Sequence, residues 1–220
     1  MNAFILDGTI NSRTDLGLRI TEVPVIPVTE RMIDSIEIDG REGDLTIFKG
    51  WKDVTFSFKA VIWNSDVQTS WKTILPQILN AKTITFSNET SVFYKIKYVK
   101  ASGLTQILSS MWEFEVELTC SPFRYKANVA TINRTTSGTV NNPGNIYSLP
   151  KIKVYGTGTR TLTINGNLTL DCDLKECFYG DVAANQYMTG GFPEFRVGSN
   201  TVTLGTGITK VEIEPRWRYL

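Results

Sequence analysis

The side chains that most often carry out acid–base chemistry are scarce in this sequence, because its 220 residues include no histidine. Histidine supplies the commonest general base, the central member of Ser-His-Asp and Cys-His triads, and the commonest metal ligand. A pair of carboxylates can replace it in hydrolases, but no motif for such a pair is present. The residues therefore predict that the chain is not an enzyme, and a carboxylate hydrolase is an alternative without a supporting motif.

Two short patterns resemble ligand sites without meeting their chemical requirements. Cys172 and Cys177 leave only Cys120 as a third thiol, whereas a structural zinc site needs four ligands. The glycines of 156–161 lack the third glycine of a dinucleotide loop, and an alternating, strand-like run follows them instead of a helix. We therefore expect three reduced, buried cysteines, no metal site, no cofactor and no catalytic residues.

Carboxylates cluster twice along the chain. The loop 39–44 contains two aspartates and a glutamate but is far shorter than a calcium-binding EF-hand loop, and tight turns favour the same residues. An acidic stripe occupies alternate positions of a later segment, namely Glu113, Glu115 and Glu117. The alternation favours a solvated strand face that pairs with lysines such as Lys95 and Lys97. The alternative is a lumen surface that repels passing DNA.

Composition describes an ordinary globular chain, with 41% hydrophobic and 20% charged residues and a net charge of +1. Such a balance gives no electrostatic footprint for nucleic acid, and we expect no sequence-specific nucleic-acid binding. No apolar run reaches membrane-spanning length, and the first residues do not resemble a signal peptide. We expect no membrane partner and assembly in a cytoplasm.

The elements that must position these residues are mostly β-strands. Apolar residues occupy every second position of 54–62, 94–98 and 112–120, which predicts strands with one buried and one solvated face. Asp39-Gly40 predicts a hairpin turn between two apolar runs, and Asn165-Gly166 predicts another. One segment differs: apolar residues recur at helical spacing in 65–80, which predicts a helix that is capped by Ser65 or Asp66 and that kinks or restarts at Pro76.

A change of composition predicts two domains. Residues 127–148 are rich in Asn, Thr, Ser and Gly, and short strand-like runs follow them. We expect an N-terminal domain over 1–128, a linker over 129–148 and a C-terminal β-sandwich over 149–220. Near the end of the sequence, Trp217 and Tyr219 alternate with Arg216 and Arg218. This alternation predicts a buried Trp217 and arginines that pair with glutamates of a strand edge.

Motifs spread over nearly the whole chain carry a resemblance to a known family. Near the start they are Phe4-Ile5-Leu6-Asp7-Gly8, Gly17-Leu18, Pro24, Pro27, Arg31 and Ile38-Asp39-Gly40-Arg41-Glu42-Gly43-Asp44-Leu45. In the middle they are Asn142-Pro143-Gly144-Asn145, Ser148-Leu149-Pro150 and Lys151-Ile152-Lys153-Val154-Tyr155-Gly156. Near the end they are Gly191-Phe192-Pro193, Gly198-Ser199-Asn200 and Pro215-Arg216-Trp217-Arg218-Tyr219-Leu220. In this order they resemble the distal tail (Dit) proteins of bacteriophages with long flexible tails.

The resemblance implies a mainly β fold, with an N-terminal β-sandwich-type ring domain that carries one α-helix and a galectin-like C-terminal β-sandwich. It implies a hexameric hub at the phage tail tip, in the virion. This hub would join the major tail tube protein to a tail-associated (Tal-like) baseplate protein, with a receptor-binding protein as a further partner. The alternative is a carbohydrate-binding module for host cell-wall glycan, with tryptophans and tyrosines stacking on sugars. We expect weak or no sugar binding, because 149–220 shows no cluster of aromatic and polar residues.

Overall fold

The computed structural model describes residues 2–22, 24–63, 66–156, 159–160, 162–163, 166–188 and 190–220. The chain divides into two compact units, the first formed by Met1–Arg124 with Leu220 and the second by Tyr125–Tyr219. Strands dominate both units, and the described residues contain a single α-helix. The mainly β class with one helix is therefore confirmed.

The first unit is a curled sheet with a helix and a separate hairpin. Its elements in chain order are β1 (Phe4–Leu6), β2 (Ile10–Asn11), β3 (Leu18–Ile20), β4 (Arg31–Ile36), β5 (Leu45–Trp51), β6 (Val54–Trp63), α1 (Val67–Asn80), β7 (Thr83–Phe86), β8 (Val92–Ala101), β9 (Thr105–Leu108) and β10 (Met111–Lys126). The sheet has the strand order β2-β1-β7-β8-β10-β6-β3, and β9 also pairs with β10. Strands β4 and β5 pair only with each other among the described strands.

Strands β6 and β10 form a long ladder of this sheet, and apolar residues alternate with polar ones over 54–60 and 112–120. They pair antiparallel over ten positions, so that Phe58 lies opposite Val116 and Phe56 lies opposite Leu118. All four of these side chains are buried in one core cluster. Since side chains on one face of a strand recur every second residue, the same pairing places the charged residues of both strands on the opposite face.

Helix α1 begins where the sequence predicts. The Asp66 carboxylate accepts a hydrogen bond from the Thr69 backbone N–H at 3.3 Å and caps the first turn, whereas Ser65 lies outside the described residues. Val67, Ile74 and Ile78 are buried on one side. Of the two outcomes expected at Pro76, a kink or a restart, the restart is wrong, since one helix runs from Val67 to Asn80 with Pro76 inside it. Proline removes one hydrogen bond, and burial of Ile74 and Ile78 on both sides of it holds the helix together.

Two strand predictions need correction in the first unit. Tyr98 was expected on the buried face of β8, but it is 62% exposed and Val99 is buried instead. The spacing from buried Tyr94 to buried Val99 is odd, so the strand changes its inward face between them. The hairpin around Asp39-Gly40 does form, but residues 37–44 connect its strands instead of a two-residue turn.

The second unit contains a six-stranded sheet and shorter ladders. Its strands are β11 (Ile132–Arg134), β12 (Gly138–Asn142), β13 (Lys151–Gly156), β14 (Thr159–Arg160), β15 (Leu162–Thr163), β16 (Gly166–Asp171), β17 (Glu176–Tyr179), β18 (Val182–Ala183), β19 (Gly198–Val202), β20 (Ile208–Glu214) and β21 (Arg218–Tyr219). A 3₁₀ turn spans Asn185–Tyr187. The large sheet has the order β11-β20-β13-β16-β17-β18, while β12 pairs with β19 and β14 with β15.

The hairpin turn predicted at Asn165-Gly166 falls on Asn165, which lies outside the described residues. Gly166 begins β16 and stands opposite Gly156 of β13. In the β14–β15 ladder, Thr159 stands opposite Thr163.

The segment 129–148, predicted as a linker, contains two strands of the second unit. Strand β12 pairs with β19 over its whole length, from Gly138 opposite Val202 to Asn142 opposite Gly198. The buried Asn142 side chain donates to the carbonyls of Ile146 and Phe195 at 3.0 and 3.1 Å. This one asparagine therefore satisfies buried backbone groups, whereas Asn133, Asn141 and Asn145 are exposed.

Candidate interaction surface

The residues that could have carried chemistry are buried or paired. Cys120, Cys172 and Cys177 are free and buried, as expected. Burial raises the pKa of Cys120 to about 12, with a smaller contribution from the charge of Asp53, and burial raises the pKa of Cys172 to about 11. These thiols are therefore protonated and unreactive near neutral pH. Among the described residues, no group of three or more His, Cys, Asp or Glu side chains could hold a metal ion.

The acidic stripe of β10 is a charge-paired strand face. Glu113 pairs with Lys59 at 3.4 Å, and Glu117 pairs with Lys100 at 3.8 Å. The prediction of cross-strand pairing was right for these two glutamates, whereas Lys97, one of the two lysines it named, binds Asp53 at 2.7 Å. Exposed pairs of this kind add little stability, so the stripe mainly gives this face a balanced charge.

The aromatic residues considered for sugar stacking are mostly engaged in packing. Trp217 lies in the core of the second unit, and Trp71 stacks edge-on against Phe114 with ring centroids 4.7 Å apart. Trp51 stacks in the same way against Phe123 at 5.8 Å. Trp63 differs, because 57% of it is exposed. The tryptophans therefore do not form a sugar-stacking row.

An exposed hairpin of the first unit, formed by residues 31–51, is the feature that packing within the chain leaves unexplained. We call it the arm. Every residue from Arg31 to Lys49 is exposed. Seven of these have large apolar side chains, namely Met32, Ile33, Ile36, Ile38, Leu45, Ile47 and Phe48. Exposed apolar side chains in this number on one hairpin of a folded protein indicate a binding partner.

The arm is a regular antiparallel ladder. Ile36 lies opposite Leu45 and Asp34 lies opposite Ile47. An ion pair between Lys49 and Asp34 links the two strands. A register shift near Met32 makes β5 one residue longer than its partner at this point, which bends and twists the ladder. A two-stranded hairpin is at best marginally stable alone in water, so the arm depends on its base and on whatever covers it.

The base of the arm is closed by aromatic and backbone contacts between its two sides. The Arg31 guanidinium lies 5.9 Å from the ring centre of Phe48 and 5.6 Å from that of Trp51. The Thr29 hydroxyl donates to the Lys52 carbonyl at 2.6 Å, and the Lys52 backbone N–H donates to the Glu30 carbonyl at 2.9 Å. The Trp51 ring also packs on Phe123 of β10, while the apolar side chains beyond the base are exposed.

The loop at the far end of the arm is acidic. Residues 37–44 contain four carboxylates, from Glu37, Asp39, Glu42 and Asp44, against the single guanidinium of Arg41. Gly40 and Gly43 have φ angles of 77° and 75°, a backbone region that residues with a Cβ atom rarely adopt. The sequence predicted a turn at this loop. The alternation of apolar and polar residues could not show that both faces of β4 and β5 are exposed.

Comparison with known proteins gives one informative result. No protein-family model matches the chain, and no curated protein matches its sequence. Its structure is similar to the crystal structure of SPP1 Dit (gp 19.1), described as a paradigm of the hub adsorption apparatus in phages that infect Gram-positive hosts. The match covers 97% of this chain and 98% of that chain, with a TM-score of 0.59 and 15% sequence identity. The chain therefore has the fold of a phage distal tail protein. No helix among the described residues is long and apolar enough to span a membrane.

Proposed function

We propose that this chain is a structural component of a bacteriophage tail tip, a distal tail protein that assembles into a hexameric hub. The observation that carries the proposal is the arm, whose apolar side chains stand exposed on a unit with the fold of a phage hub protein. A ring of identical copies repeats one heterologous contact, and such a contact needs a surface that fits a different surface of the next copy. The arm supplies one of these surfaces.

The resemblance to the Dit family supplies the remaining parts of the proposal. The first unit forms the ring, and the second unit is a galectin-like sandwich outside it. The hub joins the major tail tube protein to a tail-associated baseplate protein, and a receptor-binding protein is a further partner. The protein acts in the virion by assembly and not by catalysis. No observation on the described residues favours the alternative of a glycan-binding module.

Self-association through the arm is testable with one substitution. Ile47→Asp places a charge among the apolar side chains of the arm, and a buried unpaired charge strongly disfavours association. Light scattering after size-exclusion chromatography should show a large oligomer for the unaltered chain and a monomer for the variant. Tyr98→Asp is the matched control, because it alters an exposed strand residue outside the arm and should leave the oligomer intact. A monomeric unaltered chain at high concentration would count against the hub.

A further inference from the structure

We propose that a cleft in the first unit, outside the arm, receives a tyrosine side chain from an extended segment of a partner protein. The cleft lies between the segment 24–26 and the inward-facing aromatic residues of β6, β7 and β8. We call it the tyrosine cleft. The inference goes beyond the proposed ring and does not depend on it, because none of the residues that line the cleft belongs to the arm.

Three aromatic rings form the inner wall of the tyrosine cleft. The ring centres of Phe56 and Tyr94 lie 5.2 Å apart, those of Phe56 and Phe86 lie 6.0 Å apart, and those of Phe86 and Tyr94 lie 6.3 Å apart. All three residues belong to the core of the unit, yet all three line the cleft. Tilted and edge-to-face neighbours are the arrangement that aromatic rings favour. A further ring entering the cleft would extend this cluster.

The size of the cleft suits one side chain. It encloses about 320 Å³, part of which is open to solvent, and Pro24, Val25 and Ile26 form the wall opposite the aromatic rings. Sites for small molecules span roughly 300–1,000 Å³, so this cleft stands at their lower end. The ring of Pro24 fixes its φ angle, which limits the freedom of this wall before anything binds.

Tyr94 supplies a polar group that lacks a partner. Only 6% of Tyr94 is exposed, and no hydrogen bond joins its hydroxyl to another residue in the described parts of the chain. Burial raises the pKa of Tyr94 to about 12, with smaller effects from the charges of Arg124 and Glu89, so the hydroxyl is protonated at neutral pH. Glu89 also lines the cleft, which puts the Tyr94 hydroxyl near its Glu89 end. A buried hydroxyl without a partner costs free energy, and a ligand that bonds to it recovers this cost.

The charges at the mouth favour a neutral occupant with a polar tip. Glu89 is paired with Arg124 at 3.0 Å, so its carboxylate is already compensated and does not call for a lysine or arginine. The exposed Asn88 amide stands beside it. A phenol hydroxyl both donates and accepts, and can therefore bond to the hydroxyl of Tyr94 in either sense, whereas an indole N–H only donates. Tyrosine joins the ring that the wall fits to the hydroxyl that Tyr94 needs.

The surface beside the cleft indicates that the tyrosine belongs to an extended segment. Val25 and Val28 are 83% and 84% exposed, and both lie in the segment that forms the cleft wall and continues beyond it. A partner segment lying along 24–28 would cover these valines while its tyrosine enters the cleft. An aromatic anchor in a pocket, surrounded by contacts that exclude water, is the usual arrangement of an interaction hot spot.

The test uses the full chain with N-acetyl-tyrosinamide as the probe, and with N-acetyl-phenylalaninamide and N-acetyl-leucinamide for comparison. Saturation-transfer NMR measures their binding whatever the oligomeric state of the chain. The tyrosine probe should bind saturably and about fivefold more tightly than the phenylalanine probe, which is the effect of one neutral hydrogen bond. The leucine probe should bind most weakly, because it cannot extend the aromatic cluster.

Three variants locate the binding. Ile26→Asp places a charge in the cleft wall at a half-exposed position, and should weaken binding of the tyrosine probe by about tenfold or more with an unchanged melting temperature. Val28→Asp is the matched control, since Val28 belongs to the same segment but is not among the residues that line the cleft. Tyr94→Phe removes the hydroxyl alone and should abolish the preference for tyrosine over phenylalanine.

Each outcome decides the proposal. Saturable binding of the tyrosine probe that is weakened by Ile26→Asp, is unchanged by Val28→Asp and loses its preference in Tyr94→Phe supports the tyrosine cleft. Absence of saturable binding, equal binding of the three probes, or binding that persists in Ile26→Asp overturns it. A preference for tyrosine that survives Tyr94→Phe also overturns it, because the hydroxyl then does not select the occupant. The ring is tested separately by Ile47→Asp, so the two proposals can fail independently.

Discussion

Trp217 occupies the core of the second unit, where its indole lies 5.8 Å from the ring of Phe195 and only 4% of the residue is exposed. Alternation along the sequence predicted this burial. The same alternation misplaced the arginines, because Arg216 has a φ of 51° and turns the chain out of strand geometry. Arg216 binds Asp171 as well as the expected Glu214, and Arg218 donates twice to the Tyr147 carbonyl. No sequence pattern marks an arginine whose backbone adopts the left-handed conformation, so this turn could not be predicted.

Replacing the indole should destabilise the second unit. Trp217→Ala should lower the free energy of unfolding by about 3–5 kcal/mol, because the cavity left by a buried tryptophan is not refilled. Denaturant unfolding followed by circular dichroism measures this change. Val182→Ala is the control, since Val182 is exposed and should change stability by less than about 0.5 kcal/mol. Unfolding curves that coincide for Trp217→Ala and the unaltered chain would refute the burial of the indole.

The ion pair of Asp171 with Arg216 should make the stability of the second unit depend on acid pH. Arg216 binds both carboxylate oxygens, at 2.7 and 2.9 Å. Burial would raise the pKa of Asp171, but the hydrogen bonds and charge of Arg216, with the N–H groups of Leu174 and Asp173, outweigh burial and lower the pKa below its ordinary value of 3.8. A lowered folded-state pKa stabilises the fold above the unfolded pKa, and this stabilisation is lost as pH falls through the folded pKa.

We therefore expect Asp171→Asn to destabilise the second unit by about 3 kcal/mol at neutral pH, because the substitution leaves a largely buried guanidinium without its carboxylate. The difference between variant and unaltered chain should shrink as pH falls from the unfolded-state pKa of Asp171 toward its lower folded-state pKa, because protonation of the aspartate removes the ionic contact. Melting temperatures between pH 2.5 and 7 measure this convergence. A difference that is constant over the whole range would contradict the ionic origin of the contact.

At the scale of elements, proteolysis should distinguish the arm from the rest of the chain. The exposed loop 37–44 makes few packing contacts, and such hairpins open at little cost. Trypsin at low dose should therefore cut first after Arg41 in the monomeric Ile47→Asp variant. Slower cutting of the same site in the oligomer would follow from a covered arm. First cuts between residues 125 and 148, where the sequence predicted a linker, would contradict the strands β11 and β12.

The elements differ in how far the sequence predicts them. Helix α1 and strands β6 and β10 follow from periodic apolar residues, because each buries one face within the chain. The arm alternates less clearly, since neither of its faces is buried by the chain itself. Burial of its apolar side chains would come from a binding partner, and the periodicity of a single sequence carries no information about a partner. Segment 129–148 is rich in Asn, Thr, Ser and Gly and still contains strands β11 and β12, because these short strands find their partners, β20 and β19, far along the chain.

At the scale of the whole molecule, the turn and strand motifs that resemble the Dit family agree with the fold, which is similar to that of SPP1 Dit at 15% sequence identity. Backbone geometry restricts which residues fit at turns and favours glycine and proline there, whereas core residues of similar size can replace each other at little cost.

The most direct test of the account is the symmetry of the purified full chain in negative-stain electron microscopy. The account predicts closed rings with sixfold averages and a mass, by light scattering of the same sample, six times that of the 24.7 kDa chain. The Ile47→Asp variant on a parallel grid should show only small particles. Single particles of monomer size from the unaltered chain at high concentration, or twofold dimers that do not close into rings, would contradict the proposed hub.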